Sequence, residues 1–226
     1  MIFPIVLSIQ IAIIATIINL PLALLFSWLI VKKRIRGSSA LEVLMTIPLA
    51  IPPTIIGFFV LVLFGINGPV GKITTQLFGF NIIFTWVAAT LVTAIISFPL
   101  MARAIIVSMS EVEPNLEKTA QGLGAGPIKV FFSITLPLSY RGVVAGSLIC
   151  FVRALSEFGA TIIVAGNMPQ KTQTISLAIY SAIQLGDEST AFSLSAVALG
   201  IAIVSLIIYT ILLKKGPFLL KKSLFY

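Results

Sequence analysis

IFPIVLSIQIAIIATIINLPLALLFSWLIV, residues Ile2–Val31, carries no charged side chain, and Lys32, Lys33, Arg34 and Arg36 follow it at once. At about 1.5 Å per residue, a helix of this length exceeds the ~30 Å hydrocarbon core of a bilayer. It reads as a tilted span, or one whose first residues lie at the interface, with Pro21 a candidate kink point. The basic cluster follows the apolar run rather than preceding it, which argues against a cleaved signal peptide.

The rest of the chain repeats this pattern. Of 226 residues 58% are apolar and 10% charged, with a mean hydropathy of +1.14. Soluble domains run at roughly 45–50% apolar and about 25% charged. Lipid must therefore solvate most of the surface, and with no water at that depth each segment satisfies its own backbone as a helix. The fold class is all-α and integral to the membrane, a single domain over residues 1–226. Five spans are expected, at about 2–31, 41–64, 82–102, 142–165 and 191–213. Pro48, Pro52 and Pro53 punctuate the second, and residues 65–79 read as a loop from their Gly, Asn and Pro content. Residues 174–186 are apolar but too short to cross, so an interfacial or re-entrant helix is expected there.

Charge sets the topology. Among the 15 Lys and Arg, the residues at 32, 33, 34, 36, 103, 118, 129, 141, 214, 215, 221 and 222 share one side. Only Lys72 and Lys171 fall on the other, and Arg153 lies within a span. The positive-inside rule places the N-terminus outside and the C-terminus in the cytoplasm. The same distribution argues against nucleic acid as a partner, despite the net charge of +8, because no basic patch with interleaved aromatics exists. Trp28 and Trp86 stand where interfacial anchors occur, and plain packing explains them equally well.

The chain has no His and a single Cys, Cys150, which excludes zinc sites, His-based triads and an intrachain disulfide. No nucleotide-binding loop is present: the spacing from Gly65 to Gly71-Lys72 is out of register, and Ile73 follows. No catalytic residue, metal or cofactor is expected on this chain. Gly142, Gly146, Cys150 and Ala154 recur every four residues, a small-residue face for close helix packing within one subunit or between two. Ala196 and Gly200 repeat the spacing.

Two charges lie inside the fourth span, Arg153 and Glu157, with Ser156 between them. A charge at the bilayer centre costs roughly 2.5–3.5 kcal/mol on insertion scales, so unpaired charges there are disfavoured. Spacing of i, i+4 puts both on one helix face, where they partly neutralise each other. The pair either meets a translocation pathway or dimer seam, or is a structural ion pair. Exchanging the two charges should preserve a purely structural pair. An intramembrane enzyme using Glu157 as base is disfavoured, since no His and no second carboxylate fall in the spans.

The longest polar region, residues 110–141, forms a cytoplasmic loop with Glu117, Lys118, Lys129 and Arg141, punctuated by Pro114, Pro127 and Pro137. Residues 117–124, EKTAQGLG, suit a short helix that Gly124 and Gly126 end. It presents polar and small residues to a partner, or is a simple surface loop.

Here the sequence resembles the ABC importer permeases. Thr119, Ala120, Gly124, Ile134, Leu136 and Pro137, with Ala125 beside the glycine, fit their coupling-loop pattern E-A-A-x3-G-x9-I-x-L-P. Lys118 stands at the acidic position and Glu117 one residue earlier. RALSEFGAT at 153–161, AGN at 165–167 and PLAIPPT at 48–54 resemble the molybdate, tungstate and sulfate permeases, and TQTI at 172–175 those for molybdate. The resemblance implies a type I importer fold in which two copies line one pathway. It also implies two ATP-binding cassette subunits that carry ATP and Mg and dock on the coupling loop, and an extracytoplasmic oxyanion-binding protein that delivers molybdate or tungstate. Sulfate or thiosulfate is the alternative cargo. An autonomous channel or secondary transporter would leave the long cytoplasmic loop without a purpose.

Overall fold

A computed structural model describes residues 2–32 and 37–214. The basic residues 33, 34 and 36 and the C-terminal lysines 215, 221 and 222 lie outside them. Helix α1 (Ile2–Val31) is one continuous helix with Pro21 inside it. Every crossing needs its backbone bonds closed internally, and the long apolar runs supply three such helices: α1, α5 (Trp86–Ser110) and α11 (Glu188–Lys214).

The expected second span, 41–64, is two helices: α2 (Ser38–Ala50) and α3 (Pro53–Phe64), bent by 106°. The cause is local. Ile51 precedes a proline and sits extended at φ −100°, ψ 135°, and Pro52 is extended too. Pro53 then occupies the first turn of α3, where its missing N–H costs nothing. Residues 65–79, expected as a loop, contain helix α4 (Pro69–Phe78). Its glycines and proline are caps rather than breakers. Gly68 is extended before Pro69, and Gly79 closes the helix in the left-handed region at φ 72°.

The expected span at 82–102 is displaced. Thr85 caps α5 by accepting from the Ala88 N–H, so the helix starts at Trp86, and it continues past Arg103 to Ser110. The fourth span, 142–165, is interrupted: α8 (Tyr140–Leu155) ends, Ser156 and Glu157 lie outside helix, and α9 (Gly159–Val164) begins. Helix α10 (Ile175–Gln184) is the short apolar helix anticipated at 174–186. Among the described residues three helices are long and apolar enough to cross, or up to five if the bent pairs Ser38–Ala50 with Pro53–Phe64 and Pro127–Leu138 with Tyr140–Leu155 each count as one.

The molecule is centred on α1, α5 and α8, which pack mutually, with α9 against α3 and α5. The small-residue face of α8 is the reason. Gly142, Gly146, Cys150 and Ala154 are its buried residues. A Cβ at Gly142 would stand 2.7 Å from the Ala104 carbonyl, and one at Gly146 would stand 2.9 Å from that of Met101. The stripe thus joins α8 to α5 within one subunit. On α11 the repeat does no such work: Ala196 is exposed and nothing lies within 4 Å of a Cβ at Gly200. Gly57 lets α3 touch the α9 backbone, 2.9 Å from Ala160 Cα.

Two apolar clusters flank a polar knot. One joins Leu7 and Ile11 to Val60, Val92 and Val164; the other joins Ala23 to Met101, Ile105 and Met109. Between them, Asn19 donates to the Ala94 carbonyl at 2.9 Å and lies within bonding distance of Ser97 and Cys150. Trp28 meets Phe131 edge-on at 5.6 Å, which serves packing, whereas Trp86 is 40% exposed.

Candidate coupling surface and intramembrane ion pair

Residues 111–139 fold as two short helices, α6 (Pro114–Gly122) and α7 (Pro127–Leu138). Pro114 starts α6 at its first turn. Its end is a Schellman motif: the Ala125 N–H reaches the Ala120 carbonyl at 3.0 Å and the Gly124 N–H reaches Gln121 at 2.9 Å. That closure needs a left-handed residue, and Gly124 has φ 88°. Gly126 then runs extended into Pro127, which opens α7. A π-helical turn at Phe131–Thr135 follows, in which the Leu136 N–H reaches back to the Phe131 carbonyl. Helix α7 meets α8 at a bend of 72°.

The fold separates the coupling residues expected from the sequence. Lys118, Thr119, Gly124 and Pro137 are exposed; Ala120, Ala125, Ile134 and Leu136 are half-buried. Glu117 faces inward, with an ion pair to Lys32 at 3.3 Å and a bond from Thr135 Oγ1. Sequence reasoning missed the outer apolar ridge on these helices: Leu116, Leu123, Ile128 and Phe132, with Leu123 85% exposed. The signal was available, because large apolar residues recur in an otherwise polar loop. It also missed Lys32, which had been counted only as a topology charge.

Arg153 and Glu157 do pair, at 2.9 Å, but not along one helix face. Helix α8 ends at Leu155, so Glu157 belongs to the junction with α9. There its Oε1 accepts the Ala160 N–H at 2.9 Å while its other oxygen holds Arg153. One carboxylate thus satisfies an orphan donor at the start of α9 and neutralises a cation. Glu157 is 3% exposed. Exchanging the two charges would carry a cost beyond the pair itself, since an arginine at 157 has no acceptor for the Ala160 N–H. Ser156 is exposed and donates to the Arg153 carbonyl at 3.0 Å. Both residues line a cavity of about 470 Å³ between α8 and α11, with Ser205 and Tyr209 on its far wall.

An all-helical bundle whose second expected span is broken at Pro52 and Pro53, with a two-helix elbow between α5 and α8, has the type I ABC importer permease fold. The chain belongs to the family of binding-protein-dependent transport system inner membrane components, matched over residues 19–215, and is a multi-pass membrane protein. It is similar to the molybdenum transport system permease protein ModB of Escherichia coli K12, 40% identical over 205 residues, 90% of each chain. ModB of Haemophilus influenzae is 42% identical over 203 residues, 89% of each. The sulfate transport system permease protein CysT of Salmonella typhimurium is 33% identical over 195 residues, 86% of this chain and 70% of that one. Among solved structures the fold matches the MetNI methionine ABC transporter at TM-score 0.71, 13% identity, 95% of this chain and 93% of the other. A bacterial alginate ABC transporter matches at 0.70, 17% identity, 96% and 80%.

Proposed function

We propose that this chain is the membrane-spanning subunit of an ATP-driven importer of molybdate or tungstate, working as a homodimer. The observation that carries the mechanism is the α6–α7 elbow. It is a pair of helices joined through a Schellman closure, with exposed apolar side chains, continued into the bundle by the bend from α7 into α8. An ATP-binding subunit seated on those side chains displaces the elbow when it closes on ATP, and the bundle responds by exchanging outward-facing for inward-facing arrangements. The energy enters through differential contact with the elbow, and hydrolysis remains on the partner. An extracytoplasmic binding protein delivers the oxyanion.

Five crossings complete the topology: α1, α2 with α3, α5, α8 continued by α9, and α11. The sixteen residues of α8 span about 24 Å, short of the ~30 Å core, so α9 supplies the remainder. An odd number of crossings puts the termini on opposite sides, and the distribution of basic residues sets the N-terminus outside and the C-terminus in the cytoplasm. The greater identity to the ModB proteins of Escherichia coli and Haemophilus influenzae than to CysT favours molybdate or tungstate over sulfate.

The test is ATPase activity in liposomes holding this chain and its co-purified ATP-binding subunit. A binding protein loaded with molybdate, tungstate or sulfate is added in turn. Stimulation by the molybdate- or tungstate-loaded protein is the expected result. Stimulation by sulfate alone keeps the mechanism and overturns the cargo; failure of any ATP-binding subunit to associate overturns the mechanism.

A further inference from the structure

Lys32, one residue past the end of α1, reaches two partners. Its ammonium lies 3.3 Å from Glu117 Oε1 and donates to the Val112 carbonyl at 3.1 Å. The same carboxylate oxygen accepts from Thr135 Oγ1 at 2.5 Å. A single oxygen therefore joins α1, α6 and α7. The side chains of Lys32 and Glu117 are only 12% and 13% exposed, and Thr135 and Val112 are buried. Trp28, Gln121 and Val130 line the adjoining space of about 210 Å³.

An exposed Lys–Glu pair would be screened and interchangeable. This one is enclosed, with a second acceptor for the cation and a second donor for the carboxylate. Under those conditions a pair fixes one geometry, because breaking it strands a desolvated charge. We propose that Lys32 is a positioning residue that locks α6 to the end of α1. Displacement of the elbow is then carried into the first span and, through its packing, into α5 and α8. This rests on the coupling reading above and adds the route by which movement leaves the elbow. It also reassigns Glu117: held by its own chain, it is not offered to the ATP-binding subunit, whose contact falls on the ridge of Leu116, Leu123, Ile128 and Phe132.

The experiment uses the full complex with molybdate-loaded binding protein in proteoliposomes. It reads association of the ATP-binding subunit, ATPase rate and oxyanion taken up per ATP hydrolysed. Lys32→Met and Glu117→Gln are each expected to keep association yet lower uptake per ATP about five-fold or more, the lower end of an allosteric coupling. Lys32→Arg keeps a cation and should stay near the wild-type ratio, and the double variant should be no worse than either single one. A wild-type ratio for Lys32→Met overturns the proposal. So does loss of association in Glu117→Gln alone, which would assign that carboxylate to the partner. A fall in recovered protein with the ratio unchanged makes the contact structural only, and also overturns it. If the wild-type chain binds no ATP-binding subunit, the coupling reading fails instead.

Discussion

Glu157 shows how one side chain in a membrane segment can serve two needs. Its carboxylate neutralises Arg153 and also accepts the Ala160 N–H, a donor that would otherwise have no partner at the start of α9. Glu157→Gln keeps an acceptor for that N–H and loses only the charge; Glu157→Ala loses both. Thermal unfolding in detergent should therefore rank wild type above Glu157→Gln above Glu157→Ala. The last step should be worth about 1–3 kcal/mol, the cost of a buried donor left unsatisfied. Equal loss in both variants would remove the capping role. The Arg153→Glu/Glu157→Arg exchange is expected to stay destabilised, and its failure to restore transport would say nothing about a pathway. The presence of the pair was legible from i, i+4 spacing. The helix break between the two residues was not, because Ser156 and Phe158 carry no strong breaking signal.

At the scale of elements, prolines and glycines announce a change of direction but not its kind. Pro52 and Pro53 produced the 106° bend within an expected span, while Pro69 and Gly79 turned out to bound a helix. Both outcomes obey the same rule: proline suits a first turn and left-handed glycine suits the residue after a last one. Gly124 is the position where that rule bears on function. Its φ of 88° closes the Schellman motif between α6 and α7, and a Cβ there meets nothing within 4 Å. A bulky residue would thus spare the chain's own packing and cost only the left-handed strain, about 1–2 kcal/mol. Gly124→Val is expected to insert normally while ATP hydrolysis continues with little transport. Normal uptake by that variant would show that the elbow is not the coupling element.

For the whole molecule, polar contacts between distant segments form a layer at each end of the bundle, with the Asn19 knot between them. One end of the bundle joins Ser8 to Ile175 and Phe84 to Val164; the other joins Lys32 to Val112 and Glu117. On the orientation proposed above from the positive-inside rule, the first layer is external. Lys72→Cys should then react with an impermeant thiol reagent in intact cells, and Leu123→Cys only after permeabilisation. Native Cys150 is fully buried and leaves little background. Reversed labelling would invert the orientation. The sequence by itself determined that the protein lives in lipid, which runs are apolar enough to cross, which side is basic, and that residues 117–124 suit a short helix ended by Gly124. Those are properties of composition, charge count and local capping, and each is summed over neighbours in the chain. Only the tertiary structure decided that the glycine stripe of α8 grips α5 and that Glu117 turns inward to Lys32. These depend on which faces meet across long separations in sequence, and periodicity along one helix does not specify the partner of a face.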